Sequence, residues 1–218
     1  MKKQFVFAFI FLVLFSTYKS KKSFSFNKFK IENIYIENNL ILTNEEIREG
    51  LDFLYDTNLL FLNTSGIERV LKKKDFIKDF KIKKIYPNKI KIVVFEKKPI
   101  FILQQKKKKF YIDDNINLIH YSELKDFKHL PVVFGKKENF RTFYQNLKKI
   151  NFPLNLIKSY YFFESNRWDL ETHEKKIIKL PSKNYIESLK NFIKLQKTND
   201  FEKFKTFDYR MNNQLILK

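Results

Sequence analysis

The side chains in this chain that could do chemistry are few and badly spaced for it. Three histidines, His120, His129 and His173, stand at separations that no metal site uses. No cysteine is present, which removes thiolate ligands, disulfides and cysteine nucleophiles. Asp113-Asp114 is the best adjacent carboxylate pair, but sequence neighbours on a strand point to opposite faces, so a turn role is the better reading than an acid/base dyad. Ser, His and Asp are all available for a triad, yet there is no nucleophile elbow and no glycine-rich phosphate loop. These patterns assign no catalytic residue, no cofactor, no metal and no small-molecule substrate. Catalysis has no obvious seat in them.

Charge is the next candidate for function. The net charge is +20, which invites a nucleic-acid reading. Only Arg48, Arg69, Arg141, Arg167 and Arg210 are arginine, however, and the remaining basic residues are lysine. Lysine meets phosphate as a point charge and lacks the bidentate fork that reads bases. Lys, Asn, Ile and Phe are abundant while Ala8 is the single alanine, the bias of an AT-rich coding sequence. Most of the charge is read as solvated surface, with acidic lipid headgroups as the partner of the lysines nearest a membrane. The run Lys106 to Lys109 reads as a hairpin loop.

At 218 residues and 44 % hydrophobic content the chain can bury a real core in one or two domains. The amino terminus is set apart from that core. Phe5 to Phe15 is unbroken apolar sequence, bracketed by Lys2 and Lys3 before it and by Lys19, Lys21 and Lys22 after it. A helix over 5–18 is expected to be a membrane anchor, extended by snorkelling lysines because it is short for a bilayer. A secretory signal has an apolar region of the same length, but no small-x-small cleavage pair follows Phe15. The flank after the segment carries more lysines than the one before it, opposite to the positive-inside expectation for an exported carboxyl-terminal part.

The elements that follow alternate in period. Ile34 and Ile36 are spaced for a half-buried strand ended by Asn38-Asn39. Thr43-Asn44-Glu45-Glu46 has the spacing of a capping box, with Ile47, Leu51 and Leu54 on one helical face. Ser65-Gly66-Ile67-Glu68 repeats the spacing before Ile67, Val70 and Leu71. Phe80 and Ile82, a turn at Pro87-Asn88, and Ile90, Ile92 and Val94 then read as a hairpin. The order strand, helix, helix, strand, strand predicts a small three-stranded sheet with two helices on one face.

From Phe101 onward, short aromatic and β-branched runs predict strands at 110–112, 118–119, 132–134, 160–163, 176–180 and 215–217. Two helical patterns interrupt them, at 140–150 and 185–195. The fold class is α+β, with the second half dominated by a mainly antiparallel sheet.

The order of these elements, together with particular stretches, resembles the bacterial cell-division family FtsQ, also called DivIB. Ile82 to Ile100 resembles that family's hairpin, with its aromatic-Pro turn and Glu-basic-x-Pro exit. Tyr111-Ile112-Asp113 is similar to the strand end that opens its β domain. Leu130-Pro131 to Gly135, the Arg167-Trp168-Asp169-Leu170 hairpin with Ile177 to Pro181, and Phe207-Asp208-Tyr209-Arg210 follow in the family's order. Asn115 stands where a glycine is expected and is assigned the left-handed backbone that glycine would supply. Tyr209 replaces a leucine.

The resemblance implies a cytoplasmic tail at 1–4, a transmembrane helix at 5–18, a linker at 19–30, a POTRA domain at 31–100 and a β domain at 101–218. It implies a non-enzymatic scaffold in the bacterial inner membrane at the division septum, with its carboxyl-terminal domains in the periplasm. FtsB- and FtsL-type proteins would be direct partners, and FtsW/FtsI-type synthases of septal peptidoglycan indirect ones. The partner contact falls on the last strand, with Arg210, Met211, Asn213 and Gln214 as binding residues. Two rivals remain: a POTRA-containing secretion or outer-membrane assembly factor, although no internal repeat or barrel pattern is present, and a basic nucleic-acid-binding protein.

Overall fold

The computed structural model describes residues 2–17, 26–198, 201–211 and 214–218. Lys2–Thr17 form helix α1, and its side chains from Gln4 to Ser16 are exposed. Its 16 residues rise about 24 Å against a hydrocarbon core of about 30 Å. Among the described residues no helix is long and apolar enough to cross a membrane. The expected transmembrane helix over 5–18 is therefore not supplied by this helix unaided, and its end falls at Thr17; Tyr18 and the expected linker up to residue 25 lie outside the described residues.

The chain, α1 included, divides into two compact units, Met1–Lys73 with Asp79–Phe95, and Lys74–Lys78 with Glu96–Lys218. In the first, strands β1 (Asn33–Glu37), β2 (Ile77–Ile85) and β3 (Lys89–Glu96) form a sheet in the order β1-β3-β2, with β1 parallel to β3. Ile34 on β1 and Ile90, Ile92 and Val94 on β3 are buried, as the two-residue period requires. Helix α2 (Asn44–Arg48) begins with the expected capping box: Thr43 Oγ1 accepts from the Glu46 amide at 3.1 Å, and the Thr43 amide donates to Glu46 Oε2 at 2.7 Å.

The helix is shorter than its apolar period predicts. Gly50, at φ 85°, ends it, and a 3-10 turn over Asp52–Asp56 carries Leu54 back to the core. Ile47, Leu51 and Leu54 are all fully buried. The second expected capping box does not form. Ser65 is the first residue of helix α3 (Ser65–Leu71), Thr64 precedes it in helical backbone, and the Thr64 hydroxyl donates to Glu68 Oε1 instead.

The second unit holds nine strands: β4 (Pro99–Gln105), β5 (Lys108–Asp113), β6 (Leu118–His120), β7 (Val132–Phe134), β8 (Ile157–Phe163), β9 (Arg167–Thr172), β10 (Ile177–Lys179), β11 (Thr206–Asp208) and β12 (Ile216–Leu217). Their order is β12-β11-β10-β9-β8-β7-β4-β5-β6. The sheet is mixed rather than plainly antiparallel, because β7 runs parallel to both β4 and β8, and β10 runs parallel to β11. Parallel neighbours need crossovers: helix α4 (Lys137–Lys149) supplies the one between β7 and β8, helix α5 (Tyr185–Leu195) the one between β10 and β11, and the β5–β6 hairpin lies between β4 and β7.

The ladder register puts Leu103, Val133, Tyr160, Leu170, Ile178, Phe207 and Leu217 in one row across seven strands. That row faces the helices and packs with Phe140, Phe143, Leu147, Leu189 and Phe192. Aromatic rings meet there edge to face, Phe101 lying 4.9 Å from Phe140 and 5.7 Å from Tyr160. The Tyr160 hydroxyl, fully buried, has no hydrogen-bond partner among the described residues, and burial raises its pKa. Gly135 leads from β7 towards α4, and a Cβ there would stand 2.9 Å from the Phe162 Cβ.

Asp113 closes the β5–β6 turn as expected of it. Its carboxylate accepts from the amides of Asn115 and Asn117 at 3.0 and 2.7 Å. The left-handed residue is Ile116 at φ 60° and not Asn115, which corrects the expectation by one position. Ile116 is also buried, so its side chain serves the core while its backbone makes the turn.

Candidate functional site

The next register row over from the core points to the other face of the sheet. It reads Phe134, Tyr161, Asp169, Lys179, Asp208 and Ile216, from β7 to β12. The row begins with Phe134 and Tyr161 stacked at 4.9 Å, changes to alternating charge over three strands, and ends on Ile216, which is 38 % exposed. Two arginines flank the charged stretch, Arg167 at the start of β9 and Arg210 just past β11.

Asp208 is the anchor of this group. Its Oδ1 accepts from the Arg210 amide at 3.1 Å and from Nε at 2.8 Å, and its Oδ2 accepts from Nη2 at 2.6 Å. These bonds hold the Asp208 carboxyl below the usual carboxylate range and raise the Arg210 guanidinium further. Asp169 behaves oppositely. Burial raises its pKa and prevails over the opposing pull of Arg167, Lys179 and Arg210. Arg167 Nε lies 3.5 Å from Asp169 Oδ1, close enough for attraction but without hydrogen-bond geometry, and both atoms are buried with no hydrogen-bond partner among the described residues. Arg167 instead lays its guanidinium over the Phe163 ring at 4.6 Å.

Strand β12 is the edge of the sheet. Thr206 and Lys218 exchange both main-chain bonds, Lys218 N to Thr206 O at 3.1 Å and Thr206 N to Lys218 O at 2.9 Å. In an antiparallel ladder the neighbouring residue then turns its own amide and carbonyl away, so the N–H and C=O of Leu217 point to the open side. The Leu217 side chain packs against the core while Ile216 faces outward.

Of the four residues expected to bind a partner, the three that are described do not lie on that strand. Arg210 and Met211 follow β11, Gln214 precedes β12, and Asn213 lies outside the described residues. Met211 is 57 % exposed, and Gln214 is exposed as well. Met211 and Gln214 line a groove of about 800 Å³ against α5, whose walls include Lys190, Asn191 and Lys194. Tyr209 closes its floor by donating its hydroxyl proton to Asn191 Oδ1 at 2.9 Å.

Sequence reasoning passed over Arg167, Asp169 and Lys179 as site residues. The available signal was alternation: Trp168 and Leu170 are core residues, so Arg167 and Asp169 between and beside them must face the other way. Among the described residues no group of His, Asp and Glu side chains could hold a metal ion.

Comparison with known proteins gives this geometry a family. Residues 29–97 match the POTRA domain of FtsQ type, and residues 101–210 match the carboxyl-terminal domain of cell division protein FtsQ/DivIB. Cell division protein FtsQ of Rickettsia bellii is 30 % identical over 194 residues, which is 87 % of this chain and 72 % of the relative. The chain belongs to the FtsQ/DivIB family. The family is named for cell division, and a role in bacterial cell division follows for this chain.

FtsQ of Agrobacterium fabrum is 23 % identical over 169 residues, 77 % of this chain and 53 % of that one. The major extracytoplasmic domain of DivIB from Geobacillus stearothermophilus is a structural neighbour with a TM-score of 0.34 and 10 % identity, covering 49 % of this chain and 96 % of that domain. The match to the family's carboxyl-terminal domain ends at Arg210, so Met211, Asn213, Gln214 and β12 lie past it.

Proposed function

We propose that this chain is a non-enzymatic scaffold of the division machinery that captures FtsB- and FtsL-type partners by extending its sheet at β12. Through them it would bring FtsW/FtsI-type peptidoglycan synthases to the septum. The observation that carries the reading is the edge position of β12, with the Leu217 amide and carbonyl turned outward. A sheet edge of this kind is a template for another strand, and side chains beside it supply selectivity. Arg210, Met211 and Gln214 flank the edge, Asn213 joins them as the resemblance implies, and the three cations Arg167, Lys179 and Arg210 exceed the two acids Asp169 and Asp208 on the neighbouring face.

In this reading α1 holds the protein at the inner membrane, with Lys2, Lys3, Lys19 and Lys21 snorkelling to lengthen a short apolar stretch. Residues 31–100 and 101–218 then stand in the periplasm as a POTRA domain and a β domain.

Leu217→Pro in the full chain tests the edge directly. Proline removes the outward amide and is tolerated on an edge strand. The expected result is loss of at least tenfold in capture of an FtsB-type partner in a defined pull-down, and of the midcell band in dividing cells, relative to Leu217→Ala, which gives up the same core side chain but keeps the amide. Undiminished capture would overturn the edge assignment.

A further inference from the structure

We propose that one end of the first unit is a tip that docks on an anionic lipid surface. Three segments meet there. The chain enters through a 3-10 turn at Phe26–Phe29, the loop over 57–62 lies beside it, and the turn joining β2 to β3 completes the cluster. Leu59 donates its amide to Phe29 O at 2.7 Å, Ile31 to Thr57 O at 3.1 Å, and Glu32 to Asn88 O at 2.9 Å. Lys84 Nζ reaches Leu62 O at 3.0 Å, and the Phe29 and Tyr86 rings meet edge to face at 6.4 Å.

What this end presents to its surroundings is unusual for a charged surface. Phe61 is 74 % exposed and Leu60 37 % on the 57–62 loop, and Tyr86 is 56 % exposed on the turn joining β2 to β3. Lys28 and Lys30 border the entry turn in the chain and Lys83, Lys84 and Lys89 border the β2–β3 turn, with Glu32 and Asp56 as the acids bonded at this end. Both acids are engaged, Asp56 with Lys30 at 3.2 Å and Glu32 with the Asn88 amide group. Exposed aromatic and aliphatic side chains on segments bordered by lysine match the interfacial layer of a bilayer, where rings sit at headgroup depth and ammonium groups meet lipid phosphate.

The chain's own connectivity selects lipid over a soluble protein as the occupant. Residues 18–25 separate α1 from Phe26, and that length of chain extends at most about 29 Å. With α1 seated in the membrane, this end of the unit cannot leave the neighbourhood of the surface. The inference rests on the proposed membrane seating of α1, and it adds a second contact that would orient the POTRA unit instead of leaving it on a free tether.

Because the chain has no cysteine, single-cysteine spin labels report without background. The full chain is reconstituted in vesicles of phosphatidylcholine with phosphatidylglycerol, and carries Phe9→Cys, Phe61→Cys, Tyr86→Cys or Leu40→Cys one at a time. Leu40 is 89 % exposed and lies past the far end of β1, so it serves as the aqueous control. The accessibility of each label to oxygen relative to a water-soluble nickel chelate is expected to be several-fold higher at 9, 61 and 86 than at 40, and to fall at 61 and 86 in pure phosphatidylcholine. Labels at 61 and 86 as aqueous as the one at 40, with the label at 9 in lipid, would overturn the tip and leave the anchor standing. An aqueous label at 9 would overturn the anchor and the tip together. Equal values at 61 and 86 in the two lipid mixtures would overturn the part assigned to charge.

Discussion

Asp208 and Arg210, two residues apart, close on each other so tightly that the carboxylate takes the amide, Nε and Nη2 of one arginine. The clamp fixes the direction in which the chain leaves β11 and holds the guanidinium over the charged face of the sheet, within electrostatic reach of Asp169. Its other consequence is electrostatic, since the same bonds depress the Asp208 pKa.

A carboxyl whose folded pKa is lowered contributes stability that is present above its ordinary value and is lost as pH falls through the folded one. Asp208→Asn is therefore expected to destabilise the neutral protein by about 1 kcal/mol, discounted because Arg210 is partly exposed. It should also flatten the acid limb of a plot of melting temperature against pH. Thermal unfolding from neutral to strongly acid buffer measures both.

Asp169 should respond with the opposite sign. Its folded pKa is raised chiefly by burial, so its ionised form works against folding at neutral pH, and that burden lifts as pH falls through the raised value. Asp169→Asn keeps an acceptor beside Arg167 and is expected to leave neutral stability equal or higher, with the gain shrinking on acidification. The same unfolding series, read against the Asp208 variant, separates the two carboxyls.

Gly135→Ala is expected to cost about 1–3 kcal/mol by overpacking. The added methyl would meet the Phe162 Cβ at 2.9 Å, an atom held by its own strand, with Trp168 a further 0.8 Å out at 3.7 Å. Denaturant unfolding monitored by the fluorescence of Trp168, the single tryptophan, gives the change in midpoint.

Lys176 is a buried lysine with work for its charge. Its ammonium donates to the carbonyls of Phe201 and Phe204 at 3.2 and 3.4 Å, pairs with Glu202 at 3.1 Å, and sits 4.5 Å from the Phe201 ring. It fastens the turn that delivers the chain into β11. Lys176→Met fills the stem but strands the carbonyls, for an expected loss of about 1–3 kcal/mol. Glu202→Gln should lose far less, because the Glu202 side chain is 75 % exposed. Parallel denaturation of the two variants checks the ranking.

How much of this was legible in the sequence depended on whether the signal was local. The Thr43 and Glu46 capping box was, since both partners sit within one turn. The same four-residue spacing at Ser65 misled, because Asn63 takes the Ser65 amide and the helix begins there, so no cap is needed from Ser65. The apolar period of Ile47, Leu51 and Leu54 located their burial correctly, but one helix cannot continue through Gly50 at φ 85°. The α5 range of 185–195 was readable from its apolar face.

What could not be read was lateral. The rows that assemble Arg167, Asp169, Lys179 and Asp208 depend on β10 lying parallel to β11 after a helical crossover, and nothing within β10 or β11 themselves specifies that neighbour. The edge position of β12 was anticipated only through the family resemblance. The placement of Arg210, Met211 and Gln214 outside the strand required the ladder itself.

The hydroxyl of Tyr160 has a consequence for the whole aromatic interior. It surrenders its hydration at the centre of the ring cluster and receives no bond among the described residues in return. Phenylalanine would occupy the same outline without that oxygen, in a chain where phenylalanine is already the commonest ring. One oxygen thus subtracts from the stability of this interior, and Tyr160→Phe would recover that loss without moving a neighbour.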